Sequence, residues 1–228
     1  MFMAVGKTAY GILLCIVQPE ANGEIAQPIA LEHPLQKGAI LVGQLLAYPA
    51  LLILRLVLVK DLSRHTGAFS LKDDVTYVIY ANHQSMLDPL VICASLPVSW
   101  LRQLLPFRFF IENAYFKGPG KLLLNSLGGF PAHYQSGTAY GLDKARAVMG
   151  AGQTVVIFPP GRRTREPIAK PGISVLATHP NVELIPINID WKHRWHCSVH
   201  IGQPIDSARA SSAEELMQHV YDLTPTTT

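Results

Sequence analysis

The stretch Asn82-His83-Gln84-Ser85-Met86-Leu87-Asp88 places an imidazole and a carboxylate five residues apart, directly after an apolar run, Val75 to Tyr80. An imidazole takes a proton near neutral pH, and a carboxylate beside it fixes the ring's tautomer and stabilises the charged form. Such a pair is the start of a general-base site. On a straight helix a separation of five would point the two side chains apart. The pair therefore needs a turn or an irregular helix start, and Pro89 suits one by favouring extended or turn geometry at Asp88. A capped helix with incidental polar residues is the plainer alternative, and these residues alone leave both open.

A second polar cluster follows a second apolar run. Val155 to Phe158 gives way to Pro159-Pro160-Gly161 and then to Arg162, Arg163 and Arg165. Guanidinium groups on a turn can grip phosphate through paired N–H donors, although a solvated basic loop has the same composition. Two strand-ending polar clusters on one α/β domain commonly share a cleft. Two other constellations carry less. Ser85 has no GxSxG elbow around it, which disfavours a serine hydrolase. His193, His196, Cys197 and His200 would fall on opposite faces of one strand, which argues against a shared metal site.

The elements that must position these residues read as alternating helices and strands. "VTYVIY", "QTVVIF", "VELIPINI" and "HRWHCSVHI" are strand-like, and Asp88-Pro89 can open a helix. "KGPGKLLLNSLGGF" predicts a helix stopped near Gly128, and "GTAYGLDKARAVMGAG" an amphipathic helix closing at Gly150 or Gly152. Ser211, three residues before Glu214, predicts the start of a last helix. The alternation implies an α/β fold with a mixed, largely buried β-sheet flanked by helices. Phe107 to Phe110 reads as packing or as the wall of an acyl tunnel, and Arg102, Arg108, Lys117 and Lys121 around it as a solvated or lipid-facing basic surface.

Composition bounds the setting. Hydrophobic residues make up 49% of the 228 and charged residues only 15%, apolar for a soluble protein but too polar for a multi-span transporter, which suggests a globular domain that also touches a membrane. The net charge of +3 is too small to imply nucleic acid. Three scattered cysteines, Cys15, Cys93 and Cys197, argue for a reducing compartment. The longest apolar run, residues 38–59, approaches the roughly 20 residues that span a bilayer. Pro49 at its middle and Arg55, costing about 2.5–3.5 kcal/mol near a bilayer centre, resist a straight span. Lys60 and Arg64 then follow as interfacial anchors. An N-terminal membrane-associating helical element that is monotopic or half-embedded is the expectation, against a true span or a buried core helix. Residues 1–66 are expected to form this region and residues 67–228 the catalytic domain, with Gln18 to Lys37 a loop.

"NHQSMLD" resembles the NHxSxxD signature of the glycerolipid acyltransferases, the group that includes 1-acylglycerol-3-phosphate acyltransferase. "FPPGRRTR" is similar to that family's FPEGTRS block, and "KPG" at Lys170 to Gly172 to the lysine-proline-glycine that commonly follows. "LGGFPAH" at Leu127 to His133 looks like the middle block, and "LIPINI" at Leu184 to Ile189 like the final strand. Four blocks in the family's order cover roughly residues 75 to 190.

The resemblance implies transfer of a fatty acyl group from acyl-CoA or acyl carrier protein to a lysolipid hydroxyl, most simply that of 1-acylglycerol-3-phosphate. No cofactor is implied beyond the acyl donor as co-substrate. His83 would be the general base and Asp88 its partner. Arg163 would bind acceptor phosphate, with Arg162, Arg165, His133 and Lys170 near it and Gly161 allowing the sharp turn. Two positions depart from the pattern. Pro160 stands where the family has Glu, and His133 where the middle block usually ends in arginine. Both lie on the acceptor side, so a different lysolipid such as a lyso-aminolipid, or a non-catalytic lipid-binding member, stays open. The implied partners are membrane lipid, a lysolipid and the acyl donor, with the catalytic domain on the cytoplasmic side of a membrane.

Overall fold

β-Branched and aromatic runs form the strands, and the glycine- and proline-marked breaks between them separate the helices. The computed structural model describes residues 6–8, 11–13, 34–64, 70–118, 120–132, 139–207 and 212–224. Two short strands, β1 (Gly6–Thr8) and β2 (Gly11–Leu13), pair with each other. Then come α1 (Pro34–Leu58), β3 (Val59–Arg64), β4 (Thr76–Ala81) and α2 (Asp88–Ser95). The middle of the chain holds α3 (Leu101–Leu104), β5 (Phe107–Ile111), α4 (Gly120–Ser126) and β6 (Gly129–Pro131). The last part runs α5 (Ala139–Gly150), β7 (Thr154–Ile157), α6 (Gly172–Ala177), β8 (Val182–His193), β9 (His196–Ile201), β10 (Ile205–Asp206) and α7 (Ala213–Asp222).

The main sheet has the order β3-β9-β8-β4-β7-β5-β6, with β10 paired to β8. β4 is parallel to both its neighbours, β7 and β8, whereas β8 and β9 form an antiparallel hairpin. The sheet is thus mixed, as expected, and buried on both sides. Tyr77, Ile79 and Ala81 of β4 join Ile185, Ile187 and Ile189 of β8 on one face, under Val91 and Ile92 of α2. Val78 and Tyr80 point the other way, under Val148 of α5, Ile173 of α6 and Leu216 of α7. This alternation follows directly from the period of two along each strand.

Two neighbouring parallel strands therefore send their chains to opposite faces. After β4 the chain enters α2 on the first face; after β7 it loops to α6 on the second. A crevice opens outside the carboxyl ends of such strands, which is where open α/β sheets bind ligands.

Helix α1 runs unbroken through Pro49 and is long and apolar enough to cross a membrane by length and composition alone. One side packs on the domain: Ile40 and Leu58 are buried, and Tyr48, Leu51 and Leu54 lie against the core. Gln44 anchors this side, its amide donating to the carbonyls of Phe107 at 2.7 Å and Leu127 at 2.9 Å, while its Oε1 accepts from Phe107 N–H at 2.9 Å. The opposite side is apolar and bare, with Leu46 and Leu56 each 77% exposed beside Leu45 and Ile53. β3 follows directly and forms the sheet's edge against β9.

Several local expectations shift. Arg194 and Trp195, read within one strand from His193 onward, are the turn of the β8–β9 hairpin. The last helix is capped by Ser212, whose Oγ accepts from Glu215 N–H at 3.1 Å, a pair with the same three-residue spacing as Ser211 and Glu214. Arg108 is buried, not part of a surface: its Nε donates to the Gly128 carbonyl at 3.0 Å and its guanidinium lies over the Phe130 ring. Helix α1 begins at Pro34, inside the stretch read as loop, most of which lies outside the described residues.

Replacing Gln44 by Leu strands two buried backbone groups of Phe107 in β5 and a half-buried carbonyl, Leu127, in the turn before β6. We expect a loss of about 2–4 kcal/mol of unfolding free energy, measured by urea denaturation in mild detergent. Unchanged stability would show that α1 does not dock on the sheet in solution.

Candidate active site

The carboxyl end of β4 fixes where His83 emerges. Asn82 is buried, and its amide closes a two-bond ring with β8: Nδ2 donates to the Ile189 carbonyl at 2.7 Å and Oδ1 accepts from Ile189 N–H at 2.8 Å. The side chain thus extends the sheet's hydrogen bonding by one rung. From there the chain turns, with Asp88 N–H donating to the Ser85 carbonyl at 3.2 Å, and Asp88 becomes the first residue of α2. The helix accepts Asp88 ahead of Pro89 because a proline is tolerated in a helix's first turn, where its missing N–H costs nothing.

That turn answers the five-residue spacing. His83 Nδ1 lies 2.8 Å from Asp88 Oδ2, and the same oxygen accepts from Gln84 N–H at 2.7 Å and Ser85 N–H at 2.8 Å. Asp88 Oδ1 accepts from the Trp191 indole Nε1–H at 2.7 Å. Asp88 is 0% exposed, so its charge is stabilised by these four donors. A carboxylate with only N–H neighbours places the imidazole proton on Nδ1 and leaves the Nε2 lone pair free. His83 is one-fifth exposed along its side chain, and its ring stacks on Phe158 at a centroid distance of 4.4 Å. The ring is held and still reachable.

The second cluster meets the first here. Phe158 directly follows β7, and Gly161 N–H donates back to the Phe158 carbonyl at 2.9 Å across Pro159 and Pro160. Gly161 sits at φ +66°, a backbone conformation that favours glycine, and the flexible end of the Lys170 side chain lies over it. Thr164 N–H then donates to the His83 carbonyl at 2.7 Å, stitching the arginine loop to the histidine loop. Gln84, Arg163, Thr164, Arg165 and Trp191 line a cavity of about 270 Å³ beside the pair. Arg165 Nη2 donates to the Trp191 carbonyl at 3.1 Å. Arg162 instead points to Glu166, at 3.5 Å on the surface. Lys170 reaches over Gly161, and His133 lies outside the described residues.

Two side chains of nucleophilic type lie near the pair. Ser85 Oγ accepts from Leu87 N–H at 3.2 Å, a local turn contact. The Cys197 thiol is pushed up to about 12 by burial, aided by the Asp88 and Asp190 carboxylates, and stays protonated. Of the groups shaping the site, Trp191 and Phe158 escaped sequence reasoning. Phe158 stood in a quoted block as its first letter, whereas nothing in the spacing ties Trp191 to Asp88, 103 residues away.

Residues 63–190 match the family model for the acyltransferase domain, over half of the chain. Among solved structures, the chain is similar to PlsC, the 1-acyl-sn-glycerophosphate (LPA) acyltransferase of Thermotoga maritima. The two share 21% identity and superpose with a TM-score of 0.53, covering 82% of this chain and 76% of that one. No curated protein sequence matches the chain.

Asp88→Asn keeps the shape but sets an amide NH2 against N–H donors at one oxygen or the other. We expect a loss of about 1–3 kcal/mol in unfolding free energy, read by urea titration, the cost of leaving a buried donor unsatisfied.

Proposed function

Since this chain belongs to the acyltransferase family, we propose that it transfers a fatty acyl group from acyl-CoA or acyl carrier protein to the hydroxyl of a lysolipid. The acceptor we assign is 1-acylglycerol-3-phosphate, giving phosphatidate. The observation that carries the proposal is the His83–Asp88 contact of 2.8 Å, with His83 Nε2 free, beside a cavity walled by Arg163 and Arg165. The Thr164 N–H bond to the His83 carbonyl ties the arginine loop to the base, which supports pairing base and cation for proton abstraction from a phosphorylated alcohol.

His83 Nε2 takes the acceptor hydroxyl proton as the oxygen attacks the thioester carbonyl. The imidazolium that forms is stabilised by Asp88 across Nδ1. The tetrahedral intermediate collapses, the C–S bond breaks, and the thiolate takes the proton back from Nε2. No acyl-enzyme forms, because the acceptor is itself the nucleophile. Arg163 binds the acceptor phosphate, while Arg165, tied to the Trp191 carbonyl, gives the loop its fixed edge.

Membrane association belongs to the same proposal. The outward apolar side of α1 continues to Leu122 and Leu123 of α4, 78% and 60% exposed, next to Lys121. A helix docked by one side and apolar on the other lies along a bilayer surface, with the site facing the leaflet that supplies the lysolipid. The basic residues and the reducing environment suit the cytoplasmic leaflet.

Thiol release from acyl-CoA and acyl carrier protein across a panel of lysolipids tests the reading. His83→Ala is expected to lower kcat by about 10²- to 10⁴-fold, the usual contribution of a general base. Arg163→Ala is expected to raise KM for lysophosphatidate by about 10- to 100-fold, the worth of a charge-assisted hydrogen bond. Preference for a neutral or zwitterionic lysolipid would reassign the acceptor and point to Pro160. If neither donor gives His83-dependent release with any acceptor, the protein binds lipid without turnover.

A further inference from the structure

We propose that Trp191 is the positioning residue of the base, its indole N–H setting the plane of the Asp88 carboxylate and through it the direction of His83. The inference rests on the general-base reading of His83.

Three donors converge on Asp88 Oδ2: His83 Nδ1 and the N–H groups of Gln84 and Ser85. Rotation about the Cβ–Cγ bond moves both oxygens together, and because that torsion is broad each further bond to either oxygen stiffens it. The Trp191 bond at 2.7 Å acts on the other oxygen and comes from a different element, the far end of β8. With both oxygens held, the plane is fixed and the Oδ2 lone pair points at Nδ1. Trp191 is itself rigid: it is 8% exposed and packs in the core cluster with Leu58, Ile189 and Cys197. The ring packs beside a carboxylate that is itself 0% exposed, and low local dielectric strengthens each bond to it.

The side chain and the backbone of this residue serve different ends. Its carbonyl accepts from Arg165, and its N–H donates to Gln84 Oε1 at 3.4 Å, so the backbone shapes the acceptor cavity. The indole alone touches Asp88. Changing the side chain therefore removes the bond to the base and leaves both backbone bonds available. The split makes a distinctive prediction: loss in kcat, with KM for the acceptor held.

The test uses the full chain with two variants, Trp191→Phe and Trp191 replaced by benzothienylalanine, which keeps the ring's shape and lacks the N–H donor. With palmitoyl-CoA and 1-oleoyl-glycerol-3-phosphate, both are expected to lose kcat by on the order of 10- to 100-fold, as for a hydrogen bond to a charged group, with KM for the acceptor within about twofold. The acid limb of the pH–rate profile is expected to move in both. In resting protein, the low-field proton resonance of His83 Nδ1–H, present in the parent and absent in His83→Ala, is expected to weaken or broaden. Unchanged kcat, pH profile and resonance in the benzothienylalanine variant would overturn the inference, as would a rise in KM alone. The resonance needs no turnover, so it decides the role of Trp191 even if the parent transfers no acyl group to any lysolipid and the proposed function falls.

Discussion

A carboxylate with no access to water is the constraint around which the site is built. Burying Asp88 as an anion would cost several kcal/mol if it were left unpaired. Four N–H donors answer that cost, and each dictates local structure. Two are consecutive backbone amides, Gln84 and Ser85, which can aim at one oxygen only if the chain turns between β4 and α2. The third is the imidazole, and the fourth arrives from β8. Asp88 also opens α2, where the positive end of the helix dipole favours a negative charge. The turn that brings His83 and Asp88 together is thus the one that makes a buried Asp88 tolerable.

The sheet order makes this arrangement possible. β4 lies between β7 and β8, and each neighbour contributes at its end: β7 the Phe158 ring and the arginine loop, β8 the Ile189 and Trp191 contacts. With β4 elsewhere in the sheet, the two polar clusters could not meet. The opposed crossovers after β4 and β7 keep the crevice open between them, since neither following helix covers the strand ends.

How much of this was legible depended on range. The His83–Asp88 pair lies within seven residues, and spacing rules reach that far. So do the strand runs, which became β4, β7, β8 and β9, and the glycine stop after α4. Pairings across the sheet are another matter. Trp191 sits two residues past the apolar run that marks β8, and a sequence cannot say which strand end it will face. Arg108 looked like surface because charge patterning treats arginine as solvated; its burial depends on a carbonyl and a glutamine from β6 and β7 neighbours. The hairpin turn at Arg194 and Trp195 carries neither glycine nor proline, so nothing marked a break.

Helix α1 shows most clearly why hydropathy alone cannot place a segment. Its composition suits a bilayer span, and its average hides two different sides. One side carries Gln44, which would be costly in hydrocarbon but here completes three bonds to the β5 and β6 region. A helix docked by one flank on the folded domain would, in a straight span, have to exchange that contact for lipid. The bare side, with Leu46 and Leu56, has no such partner among the described residues. The proposed membrane association accounts for both facts by laying the helix in the plane of a membrane surface, sheet on one side and acyl chains on the other. In that orientation the proposed acceptor need not leave the leaflet: its acyl chain stays in the lipid while its hydroxyl reaches His83 and its phosphate the arginine loop.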